Sequence, residues 1–240
     1  MKSKYLAIIV IAISSVFAIC VSASSATSKQ ILLEVYGDST SLGAQTINGV
    51  LTTTPNSEPN QLQDLLQARF GKNITVINNG VGGTQAYQLL SGTDGRNRAW
   101  SSQMAKSNAD IVIINYALND QMYNVSPPPG MFQETPETYG NIISWIIQTA
   151  RDNGKIVVLQ EPNPTCYQPT VGNLYKFVTA LRNTATLMNA PLVAAYDHIQ
   201  TIPNWKSMLS DCAHPNDQLY GIKAGQTFKA LTPIIDSIIN

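Results

Sequence analysis

The segment that decides the fold spans residues 110–116 and reads Asp110-Ile111-Val112-Ile113-Ile114-Asn115-Tyr116. An unbroken row of branched aliphatic residues is typical of a parallel strand that is buried on both faces of a sheet. Other β-prone runs of similar length lie at residues 31–36, 74–78, 155–160 and 191–196. We predict that the five runs form one sheet, with the strand at 110–116 in its centre.

Helical patterns fill the spaces between these runs, at residues 61–70, 136–153, 171–188 and 218–239. Gly71 and Gly154 follow the first two patterns, and a glycine just past a helical run is a C-cap signal. Strands that alternate with helices predict a parallel sheet with helices on both faces. The predicted fold class is α/β, a three-layer α/β/α, flavodoxin-like arrangement of about five parallel strands.

Candidate site residues stand at the ends of the first three predicted strands, where open α/β sheets bind their ligands. Two more, Asp211 and His214, lie in the loop before the last predicted helix. Ser39 follows the first strand, and a serine hydroxyl needs a nearby base, itself held by a third group, before it becomes a good nucleophile. His214 is one of two histidines and has Asp211 three residues earlier. Pro215 favours an extended backbone at His214, which helps to fix the imidazole. These residue types predict acyl chemistry.

Four short strings occur in the order found in the SGNH (GDSL) hydrolase family, which the chain resembles from about residue 31 to its end. They lie at residues 37–43, 78–83, 117–120 and 211–214. The sequence departs from the family pattern at two positions. Thr40 stands where the family often has an aliphatic residue, and Ala117 replaces the usual glycine of the third string.

The resemblance implies a role for each motif residue. Ser39 would be the nucleophile, His214 the base, and Asp211 the group that orients the imidazole. The oxyanion hole would combine the backbone N–H groups of Ser39 and Gly83 with the side-chain amide of Asn119. No metal and no cofactor is expected.

Each motif also has a plainer interpretation. Ser39 could be only a helix N-cap. The glycines of the string at residues 78–83 could form only a tight turn or an anion-binding nest, and Asn119 could only cap a loop. We interpret Asp38 and Asp120 as structural. Asp197 and His198 are adjacent on a predicted strand, where their side chains would point to opposite faces, so we expect His198 at the surface or rim.

The N-terminus predicts export. Residues 1–23 combine two lysines, a short apolar run and small residues, which is typical of a cleaved signal peptide; an uncleaved anchor is the alternative. Residues 24–30 would be a short extension and 31–240 the hydrolase domain. Removal of Cys20 leaves Cys166 and Cys212, which we predict to form a disulfide that tethers the catalytic turn; two separate thiols are the alternative.

The amino-acid composition limits the classes of molecule that the protein is expected to bind. The formal net charge is zero and charged residues make up 12%, so nothing indicates a nucleic-acid surface. The sequence predicts a secreted or periplasmic serine esterase with no stable membrane span, acting on a small-molecule, lipid or acylated-sugar ester through an acyl-enzyme. An acyltransferase, a carbohydrate O-deacetylase and a non-catalytic anion binder are the alternatives. We expect residues 121–139 and 161–172 to overhang the cleft.

Overall fold

The computed structural model describes residues 29–124, 127–167 and 171–239. The predicted signal peptide at 1–23, most of the extension at 24–30, and parts of both predicted overhanging loops lie outside these residues. The strands are β1 Ile31–Gly37, β2 Ala44–Ile47, β3 Val50–Thr53, β4 Ile74–Asn78, β5 Ile111–Asn115, β6 Ile156–Gln160 and β7 Leu192–Val193. The helices are α1 Ser39–Leu42, α2 Glu58–Phe70, α3 Ala86–Ser91, α4 Trp100–Lys106, α5 Leu118–Met122, α6 Pro136–Asp152, α7 Val171–Leu187, α8 Tyr196–Gln200 and α9 Asp217–Ile239, with a 3-10 turn at Trp205–Met208.

The five predicted strands form one parallel sheet in the order β4-β1-β5-β6-β7, with β5 in the centre as predicted. The register aligns the carboxyl ends of the first three strands. Val35 of β1 lies between Asn78 of β4 and Ile113 of β5, and Gly37 lies beside Asn115. The chain segments that follow these strands therefore leave the sheet at the same edge.

Alternate side chains of the central strand pack into two separate cores, because successive residues of a strand point to opposite faces. Ile111 and Ile113 pack with α2 and α9 on one face. Val112 and Ile114 pack with α3, α4, α6 and α7 on the other. The three-layer α/β/α fold class is confirmed, and the unbroken apolar row at 110–116 is its direct cause.

The last strand differs from the prediction, because β7 covers only Leu192–Val193 of the run at 191–196. Tyr196 instead begins α8, where its backbone N–H donates to Glu161 Oε2 at 2.9 Å. The strand assumed around Asp197 and His198 was thus wrong. Both lie on a helix, where Asp197 pairs with Arg182 at 2.9 Å and His198 is exposed.

A β-hairpin that the sequence analysis missed follows α1 and stands apart from the main sheet. Its strands β2 and β3 pair antiparallel, and the turn between them is Asn48-Gly49. Both turn residues have positive φ, 52° and 78°, as a tight two-residue hairpin turn requires. Among the described residues, no helix is long and apolar enough to cross a membrane.

Candidate active site

Ser39 lies at the sharp turn between β1 and α1. Asp38 is the N-cap of this single helical turn, and its buried carboxylate accepts hydrogen bonds from Thr40 N and Thr40 Oγ1 at 2.8 and 2.9 Å. Gly43 ends the turn with φ 95°, and its N–H donates to Ser39 O at 3.1 Å. The structural role expected for Asp38 agrees with these contacts, and the turn leaves Ser39 partly exposed.

Two glycines let other backbone segments approach this turn. A Cβ built on Gly37 would lie 2.1 Å from Ser41 Oγ. A Cβ on Gly80, which follows β4, would lie 2.5 Å from Leu42 N. Asn78 Nδ2 also donates to Ser41 O at 2.9 Å. The glycine-rich string after β4 is therefore packed directly against the serine turn, and only a residue without a side chain fits at Gly80.

A continuous hydrogen-bonded chain joins Ser39, His214 and Asp211. Ser39 Oγ lies 2.9 Å from His214 Nε2, and His214 Nδ1 lies 2.7 Å from Asp211 Oδ2. The serine and histidine are 175 residues apart in sequence. When Nδ1 carries the proton and donates it to Asp211, Nε2 is free to accept the hydrogen of the serine hydroxyl.

The carboxylate of Asp211 accepts from four donors. Oδ1 accepts from the N–H groups of Ala213 and His214 at 3.1 and 2.8 Å. Oδ2 accepts from His214 Nδ1 and from Thr46 Oγ1, the latter at 2.5 Å. Partial burial would raise the pKa of Asp211, but the hydrogen bonds from Thr46 and His214 lower it to about 2. Asp211 is therefore ionised at neutral pH.

Thr46 is the site residue that the sequence analysis missed. It lies on β2 of the hairpin, and its backbone N–H donates to Ser210 Oγ at 2.9 Å. Ser210 Oγ in turn donates to His214 O at 3.0 Å. The hairpin is thus attached to the turn that carries Asp211 and His214 by two separate hydrogen bonds from one residue. The Asn48-Gly49 pair was the sequence signal that could have revealed the hairpin.

The residues expected to form an oxyanion hole lie around the same cavity as Ser39. Gly83 has φ 76°, and a Cβ built on it would meet no atom within 4 Å, so its backbone is open to a ligand. Asn119 follows β5 and is only 9% exposed. Its Nδ2 donates one hydrogen to Thr84 O at 2.9 Å, which fixes the amide and leaves its second hydrogen for another acceptor.

Ala117, which departs from the family pattern, has a backbone conformation that residues with a Cβ rarely adopt. Its φ is 136° and its ψ is −23°, and its side chain is fully buried. Asn119 nevertheless reaches the cavity. The methyl group therefore leaves Asn119 in place and stores strain in the backbone instead.

Asp120 is buried and contributes to the frame behind the cavity, as expected. Its Oδ1 accepts from Ala86 N at 2.8 Å, at the start of α3. Burial raises its pKa, and burial together with the charge of Asp120 raises the pKa of its neighbour Glu134. Both shifts favour the neutral form of a carboxyl group in the interior.

A disulfide joins Cys166 and Cys212, with their Cα atoms 4.8 Å apart. Cys212 stands between Asp211 and His214 and has φ 69°, and Cys166 N also donates to Cys212 O at 2.9 Å. Tyr167 Oη donates to Asp211 O at 2.7 Å. The loop after β6 thus holds the Asp211–His214 turn, as the cysteine pattern predicted.

A cavity of about 730 Å³ opens over Ser39 and His214. Both predicted overhanging loops contribute to it, through Gln121 and Met122 of the first and through Thr165 and Tyr167 of the second. Other residues of the first loop pack onto the body of the protein: Phe132, for example, stacks on Tyr87 with ring centroids 4.4 Å apart. Within the described part of the chain, no group of His, Cys, Asp and Glu side chains could hold a metal ion.

Several solved structures share the fold of this protein. The fold is similar to that of TesA, with 20% identity, a TM-score of 0.65, and coverage of 85% of this chain and 99% of that one. It is also similar to Axe2, an acetylxylan esterase from Geobacillus stearothermophilus, with 17% identity, a TM-score of 0.67, and coverage of 85% and 95%. For the lipase/acylhydrolase from Enterococcus faecalis, the values are 15% identity, a TM-score of 0.67, and coverage of 85% and 96%.

A search of curated protein sequences finds no match. The model of the GDSL-like Lipase/Acylhydrolase family matches residues 35–222. This match covers most of the chain and contains all four motif strings. The chain therefore belongs to the GDSL-like lipase/acylhydrolase family, a family of ester-cleaving enzymes.

Proposed function

We propose that this protein is an exported serine esterase that cleaves carboxylic O-acyl esters through a covalent acyl-enzyme. The observation that carries the proposal is the hydrogen-bonded chain from Ser39 Oγ through both ring nitrogens of His214 to Asp211. An N-cap serine would need none of these contacts, because a capping oxygen accepts from a backbone N–H of the first helical turn, and the cap of this turn is Asp38. A nucleophile needs all of them, in this order, because the base must be both within reach and held in one tautomer.

In the first half of the reaction, Ser39 Oγ attacks the acyl carbon while its proton passes to His214 Nε2. Asp211 stabilises the resulting imidazolium, and its low pKa keeps it ionised. His214 then gives the proton to the leaving alcohol oxygen as the bond from that oxygen to the acyl carbon breaks. In the second half, water attacks the acyl-enzyme, His214 takes its proton and returns it to Ser39, and the acid leaves.

The negative oxygen of the tetrahedral intermediate would be stabilised by the backbone N–H groups of Ser39 and Gly83 and by the Asn119 amide. The lining of the cavity by all three residues supports this role. The hydrogen bond from Asn119 to Thr84 fixes the amide before substrate arrives. Donors fixed in advance lower the barrier more than donors that must reorient during the reaction.

Export to the periplasm or the cell exterior is the second part of the proposal. The signal-like N-terminus and the Cys166–Cys212 disulfide support it, because disulfides persist in oxidising compartments. Fractionation of the producing cells, with mass spectrometry of the mature N-terminus, tests it. A protein that stays in the cytoplasm with residues 1–23 intact would refute export without affecting the proposed chemistry.

Carbohydrate O-deacetylation is the second candidate function, because similar solved structures include acetylxylan esterases. An acyltransferase would use the same acyl-enzyme and pass the acyl group to an alcohol instead of water. Assays on acetylated xylan, and product analysis with an added alcohol acceptor, separate these two from a simple esterase.

The test of the nucleophile is Ser39→Ala with p-nitrophenyl acetate. We expect turnover to disappear and the thermal midpoint to stay nearly unchanged, because the substitution removes one partly exposed hydroxyl. A fluorophosphonate probe should label the wild-type protein at Ser39 and leave the variant unlabelled. Ser101→Ala, at an exposed serine of α4, is the matched control and should retain both ester turnover and probe labelling. Turnover retained by Ser39→Ala would refute the proposal.

A further inference from the structure

One wall of the cavity over Ser39 comes from outside the main sheet. The hairpin β2–β3 stands beside the main sheet, and Ala44, Leu51, Thr52 and Thr53 from it line the cavity. Leu51 is 60% exposed, and Met122 at the end of α5, also in the lining, is 51% exposed. Two large apolar side chains are thus held open to solvent next to the nucleophile, although burying them would be favourable.

The strand register of the hairpin shows which residues lie on each of its two faces. Thr46 lies opposite Leu51, and Ile47 lies opposite Val50, so each pair shares one face of the hairpin. The first pair faces the active site, because Thr46 contacts Asp211 and Leu51 lines the cavity. Val50 is 65% exposed and points to the opposite face. Leu51 and Val50 are therefore neighbours of similar exposure, of which only Leu51 borders the cavity.

No Asp, Glu, Lys or Arg is found among the described residues that line the cavity. The hairpin itself, residues 44–53, has no charged residue. A charged acyl group would lose its hydration there without gaining a partner, whereas an apolar chain would cover the exposed leucine and methionine.

The direction of proton transfer indicates where the alcohol and acyl parts of the ester bind. His214 must reach the leaving oxygen, so the alcohol belongs beside His214, next to Ala213, Thr165 and Tyr167. The walls formed by the hairpin and by α5 then remain for the acyl chain. On the basis of the proposed function, we infer that Leu51 and Met122 form an acyl subsite, and that the preferred substrates carry an uncharged, medium-length acyl chain rather than acetyl.

The test compares p-nitrophenyl acetate, hexanoate, octanoate and palmitate, each below the concentration at which it aggregates, with acetylated xylan as a further substrate. Each methylene that leaves water contributes about a fourfold gain. Partial cover by an open groove should therefore raise kcat/KM for octanoate at least about tenfold above that for acetate. The leaving group is constant in the p-nitrophenyl series, so this ratio reports on acyl binding alone.

Leu51→Asn should lower the octanoate-to-acetate ratio about fourfold or more, and Met122→Asn should lower it independently. Val50→Asn, the matched control on the opposite face, should leave the ratio unchanged. Equal kcat/KM for acetate and octanoate, a preference for acetylated xylan, or equal effects of the Leu51 and Val50 substitutions would each overturn the inference and leave the esterase proposal intact. Failure of the wild-type protein to cleave any of these esters would instead overturn the esterase proposal.

Discussion

The most informative perturbation of the site is Thr46→Val, because it removes one hydrogen bond to Asp211 and keeps the shape of the side chain. The backbone bond from Thr46 N to Ser210 Oγ at 2.9 Å is independent of the side chain, so the hairpin stays attached. Asp211 retains three of its four donors. Without the hydroxyl, its pKa should rise from about 2 toward the ordinary value of 3.8.

The rate effect follows from geometry and not from charge. At pH 7, a carboxylate with a pKa anywhere between these values is still ionised, so the variant keeps its negative charge. What it loses is one restraint on the Oδ2 that orients His214. We expect kcat for p-nitrophenyl acetate to fall about tenfold, equivalent to ~1.4 kcal/mol of barrier, while KM stays within about twofold.

The same variant should change the pH dependence of stability. The depressed pKa of Asp211 stabilises the folded protein above about pH 4, and this contribution is lost as the pH falls toward 2. A hydrogen bond to a charged group contributes about 1.5–3 kcal/mol, which we reduce to ~1–2 kcal/mol because Asp211 is partly exposed. Thr46→Val should therefore be less stable by this amount at pH 7, and the difference should shrink in acid.

Steady-state kinetics and urea unfolding between pH 2.5 and 8 measure both effects. Thr46→Ser restores the hydroxyl and should recover most of kcat, whereas Thr75→Val, at an exposed position of the edge strand β4, should change neither quantity. A kcat within twofold of wild type for Thr46→Val, or no recovery in Thr46→Ser, would refute the role of Thr46.

Three further changes test other parts of the site. Asn119→Ala should lower kcat about a hundredfold, because one oxyanion donor is lost; a near-normal rate would exclude it from the oxyanion hole. Replacing Cys166 and Cys212 by serine opens a loop of 46 residues. It should reduce stability by about 2–4 kcal/mol and also lower kcat, and an unchanged thermal midpoint would contradict this. Ala117→Gly should relieve a strained backbone at φ 136° at the cost of one buried methyl group. A net gain of about 1 kcal/mol would raise Tm by about 2–4 °C, and a lower Tm would show that the strain costs less than the buried methyl group contributes.

The sequence predicted the parts of the fold that depend on local patterns. The apolar row at 110–116 identified the central strand because burial on both faces leaves no place for polar residues. The positions of Ser39 and Asn119 after strands predicted that they meet, because parallel strands end at one edge. His214 lies in the loop before α9, and its place beside Ser39 was implied by the family resemblance. The cysteine count predicted the disulfide because two cysteines remain after the predicted signal peptide, and an even pair suggests a disulfide.

The sequence could not predict features that depend on tertiary contacts. The strand at 191–196 shortens to β7 because the carboxylate of Glu161, distant in sequence, caps α8 at Tyr196. The hairpin strands mix polar and apolar residues and lack a long apolar run, so only the Asn48-Gly49 turn signals them locally. The contact of Thr46 with Asp211 spans 165 residues, and no local pattern encodes a contact of this range.

The close packing of Gly80 against the Ser39 turn affects how mutational scans of this enzyme should be interpreted. Gly80 contributes no group to the proposed reaction, yet any side chain there would collide with Leu42 N and displace the turn that carries the proposed nucleophile. Loss of activity at this position would look like loss of a catalytic group, although only a steric requirement had been violated. A position's sensitivity to substitution in this turn therefore reports how tightly two backbone segments abut, and says nothing by itself about which atoms take part in the chemistry.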